Sequence, residues 1–119
     1  MTPVCRLEEI HCDSGVTALV AGRAVAVFRT GGDDVYALSN YDPFGRASVL
    51  GRGIVGTGTV TVDGHAEEVP FVASPLHKQR FDLRTGDCLD DPKVHVATYE
   101  VQVSEGMVLV GDRRERLAP

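Results

Sequence analysis

The hydrophobic positions of this chain fall in short runs of Val, Ala, Ile and Phe, broken roughly every 8 to 12 residues by Gly-rich turns. This spacing is typical of an all-β sandwich or barrel. A helical period of 3.6 residues is nowhere sustained beyond a turn or two. In the first third, the pattern predicts strands over residues 15–20, 23–30 and 35–38, with Ala21-Gly22 as a tight hairpin link.

The second half repeats the pattern with two irregular interruptions, over residues 39–52 and 74–79. Between them, alternating runs on either side of Asp63-Gly64 predict a surface hairpin over residues 57–69. A strand over residues 80–83 and a loop over 89–92 follow. Residues 94–103 and 107–110 are predicted to close the sheet as a hairpin.

Length and charge narrow the possible functions. With 119 residues the chain has room for one domain, 1–119, with 111–119 as a tail. Its net charge of −5 argues against nucleic acid as a partner, and the basic run at Arg113, Arg114 and Arg116 reads as part of a solvated tail. The sequence lacks an apolar stretch near 18 residues and a signal-peptide pattern, so we expect no membrane segment and a cytoplasmic location.

The cysteines and two of the histidines suggest no chemistry of their own. Three cysteines, an odd number, do not describe a disulfide framework. A Cys5–Cys12 disulfide is disfavoured by the expected reducing compartment. Cys88 is expected to be a small buried hydrophobe, and His65 and His95 are expected on strand or turn surfaces.

Two segments, residues 40–45 and 74–86, resemble the two cluster-binding loops of Rieske iron–sulfur proteins, which read Cys-x-His and Cys-x-x-His. The resemblance covers roughly residues 4–110 and includes the Phe-Asp-Leu-x-Thr-Gly hairpin at 81–86. Segments 35–44, 52–56, 73–76 and 83–89 are similar to the small subunits of assimilatory NAD(P)H-dependent nitrite reductases. The resemblance implies a Rieske-like antiparallel β-sandwich or barrel of about three small sheets. In it the loops 39–52 and 74–80 face each other, and the 57–69 hairpin is an insertion.

The resemblance also implies a partner. In that family a large subunit carries FAD, sirohaem and an iron–sulfur cluster, and reduces nitrite to ammonium with NAD(P)H in nitrogen assimilation. This chain would then be an oxidoreductase subunit by membership, with no catalytic residues of its own. Two alternatives stay open: a stand-alone Rieske-type ferredoxin that carries electrons, and a general β-sandwich interaction module for another oxidoreductase.

The four cluster positions are degenerate. A Rieske centre takes two thiolates on one iron and two imidazoles on the other. Asp42 and Ser74 stand at the thiolate positions, and Phe44 and His77 at the imidazole positions, so only His77 matches the pattern. We therefore expect neither a [2Fe–2S] cluster nor another metal or cofactor in this chain. We hypothesise that Phe44 fills the vacated space while Asp42 pairs with His77 or with backbone N–H groups.

Other chemistries of the same residues are weaker. Asp42, Ser74 and His77 would converge if the loops face each other, which invites a hydrolase reading, but no strained nucleophile turn or oxyanion hole is evident. A mononuclear metal on Asp42 and His77 lacks a third donor. A zinc site that includes Cys5, His11 and Cys12 is disfavoured, because the side chains of neighbouring strand residues point to opposite faces.

The two loops also offer a docking surface. In cluster-bearing relatives they form the tip that redox partners approach, and here they carry aromatic and cationic groups of the kind found at interface hot spots. The candidate partner-binding residues are Tyr41, Phe44, Pro75, Leu76, His77, Lys78 and Arg80. The alternative is that Phe44 and Leu76 merely fill a small core between the loops.

Overall fold

A computed structural model describes residues 1–115 as an all-β fold, with no α-helix in that part of the chain. Two short 3₁₀ helices, Leu7–Glu9 and Leu50–Arg52, interrupt the strands. The strands are β1 Thr2–Arg6, β2 Ser14–Val20, β3 Arg23–Arg29, β4 Val35–Ser39, β5 Tyr41–Asp42, β6 Ala47–Ser48, β7 Ile54–Val62, β8 His65–Ala73, β9 Arg80–Asp82, β10 Thr98–Ser104 and β11 Met107–Arg113.

The strands form three sheets, and every pairing is antiparallel. A six-stranded sheet has the order β1-β11-β10-β4-β3-β2, a three-stranded sheet the order β7-β8-β9, and β5 pairs with β6 alone. This confirms the predicted all-β architecture of about three small sheets. None of the helices in the described residues is long and apolar enough to cross a membrane.

Several strand boundaries differ from the prediction. β1 was not anticipated; it pairs with β11 through Thr2 and Val110 and is bulged between Pro3 and Cys5, so its alternation is too irregular to read. The hairpin expected over 57–69 runs from Ile54 to Ala73, because the glycines in β7 weaken its strand signal.

At the C-terminal end, β10 begins at Thr98 rather than at residue 94, since residues 94–97 make an isolated bridge, His95 with Asp87, instead of a ladder. β11 continues to Arg113, so the segment expected as a tail begins as strand. Arg116, the last member of the basic run, lies outside the described residues.

The core lies on both sides of β3. Ala26 and Phe28 face a first core cluster between the two larger sheets, completed by Leu38, Leu50, Val72, Phe81, Leu83, Cys88 and Val96. Val25 and Val27 face a second core cluster with Ile10, Val20, Ala37, Tyr99, Val108 and Val110. Because both faces of β3 are buried, its sequence is a nearly continuous apolar run rather than an alternating one.

Cysteines and histidines outside the loops lie as expected. Cys88 is buried in the first core cluster, and that burial raises the pKa of its thiol. His65 and His95 are exposed. All three cysteines are free, so Cys5 and Cys12 do not form a disulfide.

Candidate functional site

The two loops that resemble the Rieske cluster-binding loops are joined by a buried hydrogen bond between side chains. Asp42 ends β5 and Ser74 follows β8, and both side chains are fully buried, at 0% exposure. The Ser74 hydroxyl donates to Asp42 Oδ2 across 2.5 Å. The two residues predicted to stand at the thiolate positions of the Rieske pattern therefore bond to each other directly.

Each of these residues also closes its own loop. Asp42 Oδ1 accepts from the Phe44 N–H at 2.8 Å, and the Asp42 carbonyl accepts from the Arg46 N–H at 2.8 Å. Ser74 Oγ accepts from the Leu76 N–H at 3.2 Å, and the Ser74 carbonyl accepts from the Lys78 N–H at 3.0 Å. A short polar side chain bonding the backbone two residues ahead is a common way to fix a turn.

The first loop is held to the six-stranded sheet by Asn40, a residue that sequence reasoning missed. Its Oδ1 accepts from the Gly51 N–H at 2.7 Å and from the Thr17 hydroxyl at 3.2 Å, while Nδ2 donates to Ser48 Oγ at 3.0 Å. Asn40 is almost fully buried. Two features of the sequence could have pointed to Asn40: it stands directly before a loop, and it is the only asparagine of the chain.

Phe44 packs inward, which is the role hypothesised for it. Its half-buried ring lies against the first core cluster, with its centroid 6.2 Å from that of Phe81. An aromatic ring at this position contributes apolar contacts between the loops and offers no donor atom to a metal.

His77, in contrast, lies on the surface, and of the two partners hypothesised for Asp42 the imidazole is not bonded, whereas a backbone N–H, that of Phe44, is. Ser74 and Phe44 already supply a donor to each Asp42 oxygen. Within residues 1–115 the His77 side chain makes no hydrogen bond, and it is exposed in the turn that Ser74 and Lys78 close. A hydrolytic arrangement also fails, because the Ser74 hydroxyl donates to a carboxylate rather than to an imidazole.

The residues at the four positions do not fit the [2Fe–2S] group of the Rieske pattern. That group needs two thiolates and two imidazoles, and the loops present a carboxylate, a hydroxyl, a phenyl ring and one exposed imidazole. The loops are also in close contact, since a methyl group on Gly45 would lie 2.5 Å from Leu76 Cδ1 and 3.0 Å from Asp42 Oδ2. For single metal ions, no three His, Cys, Asp or Glu side chains of the described chain converge, including the Cys5, His11 and Cys12 set.

Arg80, at the start of β9, is held by partners inside the chain. Its guanidinium donates to Asp90 Oδ1 at 2.7 Å, its N–H donates to Asp90 Oδ2 at 2.8 Å, and the guanidinium carbon lies 5.7 Å from the centre of the Phe71 ring. The hydrogen bond from Arg80 lowers the pKa of the Asp90 carboxyl and raises the pKa of Arg80 itself. Arg80 therefore shapes the base of the second loop.

The remaining candidates form a mixed exposed surface, here called the tip: Tyr41, Pro75, Leu76, His77 and Lys78. Tyr41 is 47% exposed and Leu76 is 48% exposed, and the other three are also exposed. Phe44 and Arg80 lie half-buried beneath it. The structure thus separates the seven candidates into five that are accessible and two that support them.

Comparisons with known proteins agree with this fold. A family model for the Rieske-like [2Fe–2S] domain matches residues 1–111. The chain is 42% identical over 106 residues to the nitrite reductase (NADH) small subunit of Salmonella typhimurium, covering 88% of this chain and 91% of that one.

Two further matches bear on the same family. The solution structure of the nitrite reductase [NAD(P)H] small subunit of Erwinia carotovora has a TM-score of 0.72 and 43% identity, covering 99% of this chain and 85% of that one. The nitrite reductase [NAD(P)H] large subunit of Klebsiella oxytoca is 40% identical over 111 residues, which is 93% of this chain but 11% of the larger protein. With the family model and these near full-length matches, the chain belongs to the Rieske-like [2Fe–2S] domain family and, within it, to the small subunits of nitrite reductase.

Proposed function

We propose that this chain is a non-catalytic small subunit of NAD(P)H-dependent nitrite reductase, which docks to and supports the large subunit. The large subunit would reduce nitrite to ammonium in nitrogen assimilation, in the cytoplasm. The observation that carries the proposal is the buried hydrogen bond from Ser74 to Asp42, which ties the two loops together where the Rieske pattern has its cluster.

This bond supports a binding role because it makes the loops rigid without a redox group. Ser74 and Asp42 are fully buried and bonded to each other, and Phe44 packs on Phe81. Rigid loops present a surface with little entropy left to lose when a partner binds. We propose that the chain holds no cofactor, and that FAD, sirohaem and the iron–sulfur cluster belong to the partner.

The identity of the partner is supported by the Klebsiella oxytoca large subunit, 11% of which aligns with 93% of this chain. In that protein the same module is part of the polypeptide named as the large subunit. A module that occurs both inside the large chain and as a separate small chain is expected to contact the rest of the large chain in both cases.

The tip is the docking surface we propose. It combines two exposed apolar groups, Tyr41 and Leu76, with the cation Lys78, on loops fixed by buried hydrogen bonds. Phe44 and Arg80 contribute by holding the loops in shape. Interfaces concentrate their binding energy in a few such aromatic, aliphatic and cationic side chains.

Co-expression with the large subunit, followed by size exclusion and a nitrite reductase assay, tests the proposal. The two chains should elute together, and Leu76→Asp should weaken their affinity at least about tenfold. A matched change at an exposed aliphatic residue outside the loops, Val103→Asp on β10, should leave it within about twofold. Elution as separate chains would contradict docking, and equal effects of the two variants would contradict the tip.

A stand-alone ferredoxin is the second candidate, favoured by the [2Fe–2S] description of the matching family model. The visible absorption and the iron content of the purified protein distinguish the two candidates. We expect a colourless, iron-free protein after expression in iron-replete medium, whereas visible absorption with two irons per chain would favour the ferredoxin. A general interaction module would instead co-purify with an oxidoreductase that contains no sirohaem.

A further inference from the structure

β7 is a long strand with an unpaired edge. It pairs with β8 over nine consecutive residue pairs without a bulge, and among residues 1–115 no other strand pairs with it. Residues 61–68 are all exposed, so the far end of this hairpin stands clear of both core clusters. An edge strand presents a row of N–H and C=O groups that can accept another strand.

In the described chain the other edges of the two larger sheets are protected, whereas β7 is covered only where it contacts β2. β1 carries Pro3 and a bulge, and β9 is three residues long and bridged through Phe81 to Cys88. β2 packs against the 3₁₀ helix Leu50–Arg52. β7 has no proline, no bulge and no charged residue from Ile54 to Val62. Natural proteins ordinarily protect an edge strand with one of these devices.

The sequence of β7 is complementary to itself. In an antiparallel pairing of two copies with the two-fold axis at Thr59, Thr59 opposes Thr59, and Thr57 opposes Thr61 on the same face. On the other face, Val60 of each copy opposes Gly58 of the other, next to the Phe71 ring that lies over that glycine. Threonine pairs and β-branched residues are favourable cross-strand neighbours.

We propose that a second copy of this chain pairs with the edge of β7, in antiparallel register about Thr59, to form a two-fold symmetric dimer. The two three-stranded sheets then join into one continuous sheet of six strands. Such an interface is isologous, with the same surface on both subunits. This proposal is independent of the partner proposed above, because the tip lies on other segments.

The charge distribution predicts how this dimer responds to salt. Each copy carries a net charge of −5, and Glu67 and Glu68 lie one strand away from the edge, opposite Val60 and Thr59. The paired strands themselves oppose no charges. Added salt screens the repulsion between the copies without weakening the backbone hydrogen bonds, so association should strengthen with ionic strength. A strand edge alone buries less surface than a standard interface, so the dimer should form at high concentration.

Sedimentation equilibrium on the full chain, from about 10 µM to about 1 mM, tests the pairing. The mean mass should rise from 12.8 kDa toward twice that value, and more steeply in high salt. Thr59→Lys places two cations on the axis and should weaken association at least about tenfold. Ala66→Lys, an exposed position on β8, adds the same charge away from the edge and should weaken association at most about twofold. Circular dichroism checks that both variants fold.

Cross-linking provides a second measurement that does not rely on disrupting the strand. In a Cys12→Ser background, Thr59→Cys should be linked to a covalent dimer by a short bifunctional thiol reagent, and Ala66→Cys should not. A chain that stays monomeric throughout, or equal linking at both positions, overturns the proposal. Loss of large-subunit binding in Thr59→Lys, with the chain alone monomeric, would also overturn it, because the edge would then accept a strand of the large subunit.

Discussion

At the scale of single residues, Asp42 and Ser74 join two segments that lie 32 positions apart in the sequence. Each makes one bond across the loops and one within its own loop, so each carboxylate oxygen has a donor. A buried polar group is costly when it loses its partner and contributes modestly when it keeps it. The pair therefore specifies how the loops meet, in addition to stabilising them.

Ser74→Ala should destabilise the fold by about 1.5–3 kcal/mol, because it leaves Asp42 Oδ2 buried without its donor. Urea unfolding measures the change. The matched control is Ser104→Ala at an exposed position at the end of β10, which should change the free energy of unfolding by less than about 0.5 kcal/mol. Equal effects at both serines would argue that the bond does not hold the loops together.

At the scale of elements, the side chain of Phe71 packs over two glycines of β7, and this contact helps to hold the three-stranded sheet together. A methyl group on Gly56 would lie 2.8 Å from Cζ of Phe71, and one on Gly58 would lie 3.2 Å from Cδ2 of the same ring. Arg80 covers the ring from β9. The two glycines thus cost β7 some strand propensity but let an aromatic ring lie close to the backbone.

Gly56→Ala should destabilise the fold by about 1–3 kcal/mol, because the added methyl group displaces the Phe71 ring. The loss should shrink in a Phe71→Leu background, and a double-mutant cycle in thermal or urea unfolding measures that coupling. Gly31→Ala is the control, since a methyl group there has no atom within 4 Å. A Gly56→Ala protein as stable as the wild type would show that the Phe71 contact does not constrain β7.

The Arg80–Asp90 pair joins β9 to the segment after it and gives stability a defined pH dependence. The bond from Arg80 lowers the pKa of Asp90 in the folded state, so its contribution is complete above the unfolded value of about 4. It is lost as the pH falls through the lowered folded pKa. Because the side chains of Arg80 and Asp90 are both more than a third exposed, the pair contributes at most about 1 kcal/mol to the free energy of unfolding.

Asp90→Asn should therefore lower the free energy of unfolding slightly at pH 7, and the difference from the wild type should vanish as the pH is taken below about 4. Urea unfolding of both proteins between about pH 3 and pH 7 measures it. A difference that grows as the solution is acidified would contradict the assignment of the lowered pKa to this pair.

At the scale of the whole molecule, β3 is shared by two core clusters, with Phe28 facing the first and Val27 facing the second. Neither cluster can lose its packing without moving the strand that the other needs. The tip loops rest on the first cluster through Phe44, so their geometry depends on the cooperative fold.

Phe28→Leu and Val27→Ala should each destabilise the protein by about 1–3 kcal/mol, and each should shift one common unfolding transition. Tyr36 contacts the first cluster and Tyr99 belongs to the second. In each variant, replacing Tyr41 and one of these two tyrosines by phenylalanine leaves a single tyrosine, whose near-UV signal follows its own cluster through the transition. Unfolding of one tyrosine before the other in either variant would indicate two separately stable halves.

Some features could be read from residue patterns alone. The alternating and continuous apolar runs predicted an all-β fold and most strands, because strand formation here follows side-chain burial with short-range periodicity. The residue types at positions 42, 44, 74 and 77 already predicted that the Rieske ligand set is missing, because coordination depends on which donor atoms are present. The pattern did not predict β1, the full length of the 54–73 hairpin or the late start of β10. In these segments a bulge, two glycines and an isolated bridge hide the alternation of apolar and polar residues.

Only the tertiary structure decided how the two loops are joined and which strand edge is free. Asp42 could have bonded to His77 or to Ser74, and packing of the loops chose Ser74 and left His77 in solvent. Likewise, the uncharged stretch of β7 is a buried strand or an open edge depending on which strands lie beside it. Sequence thus fixes which groups can bond and which can be buried, whereas the partner each finds depends on distances that exist only once distant segments have packed together.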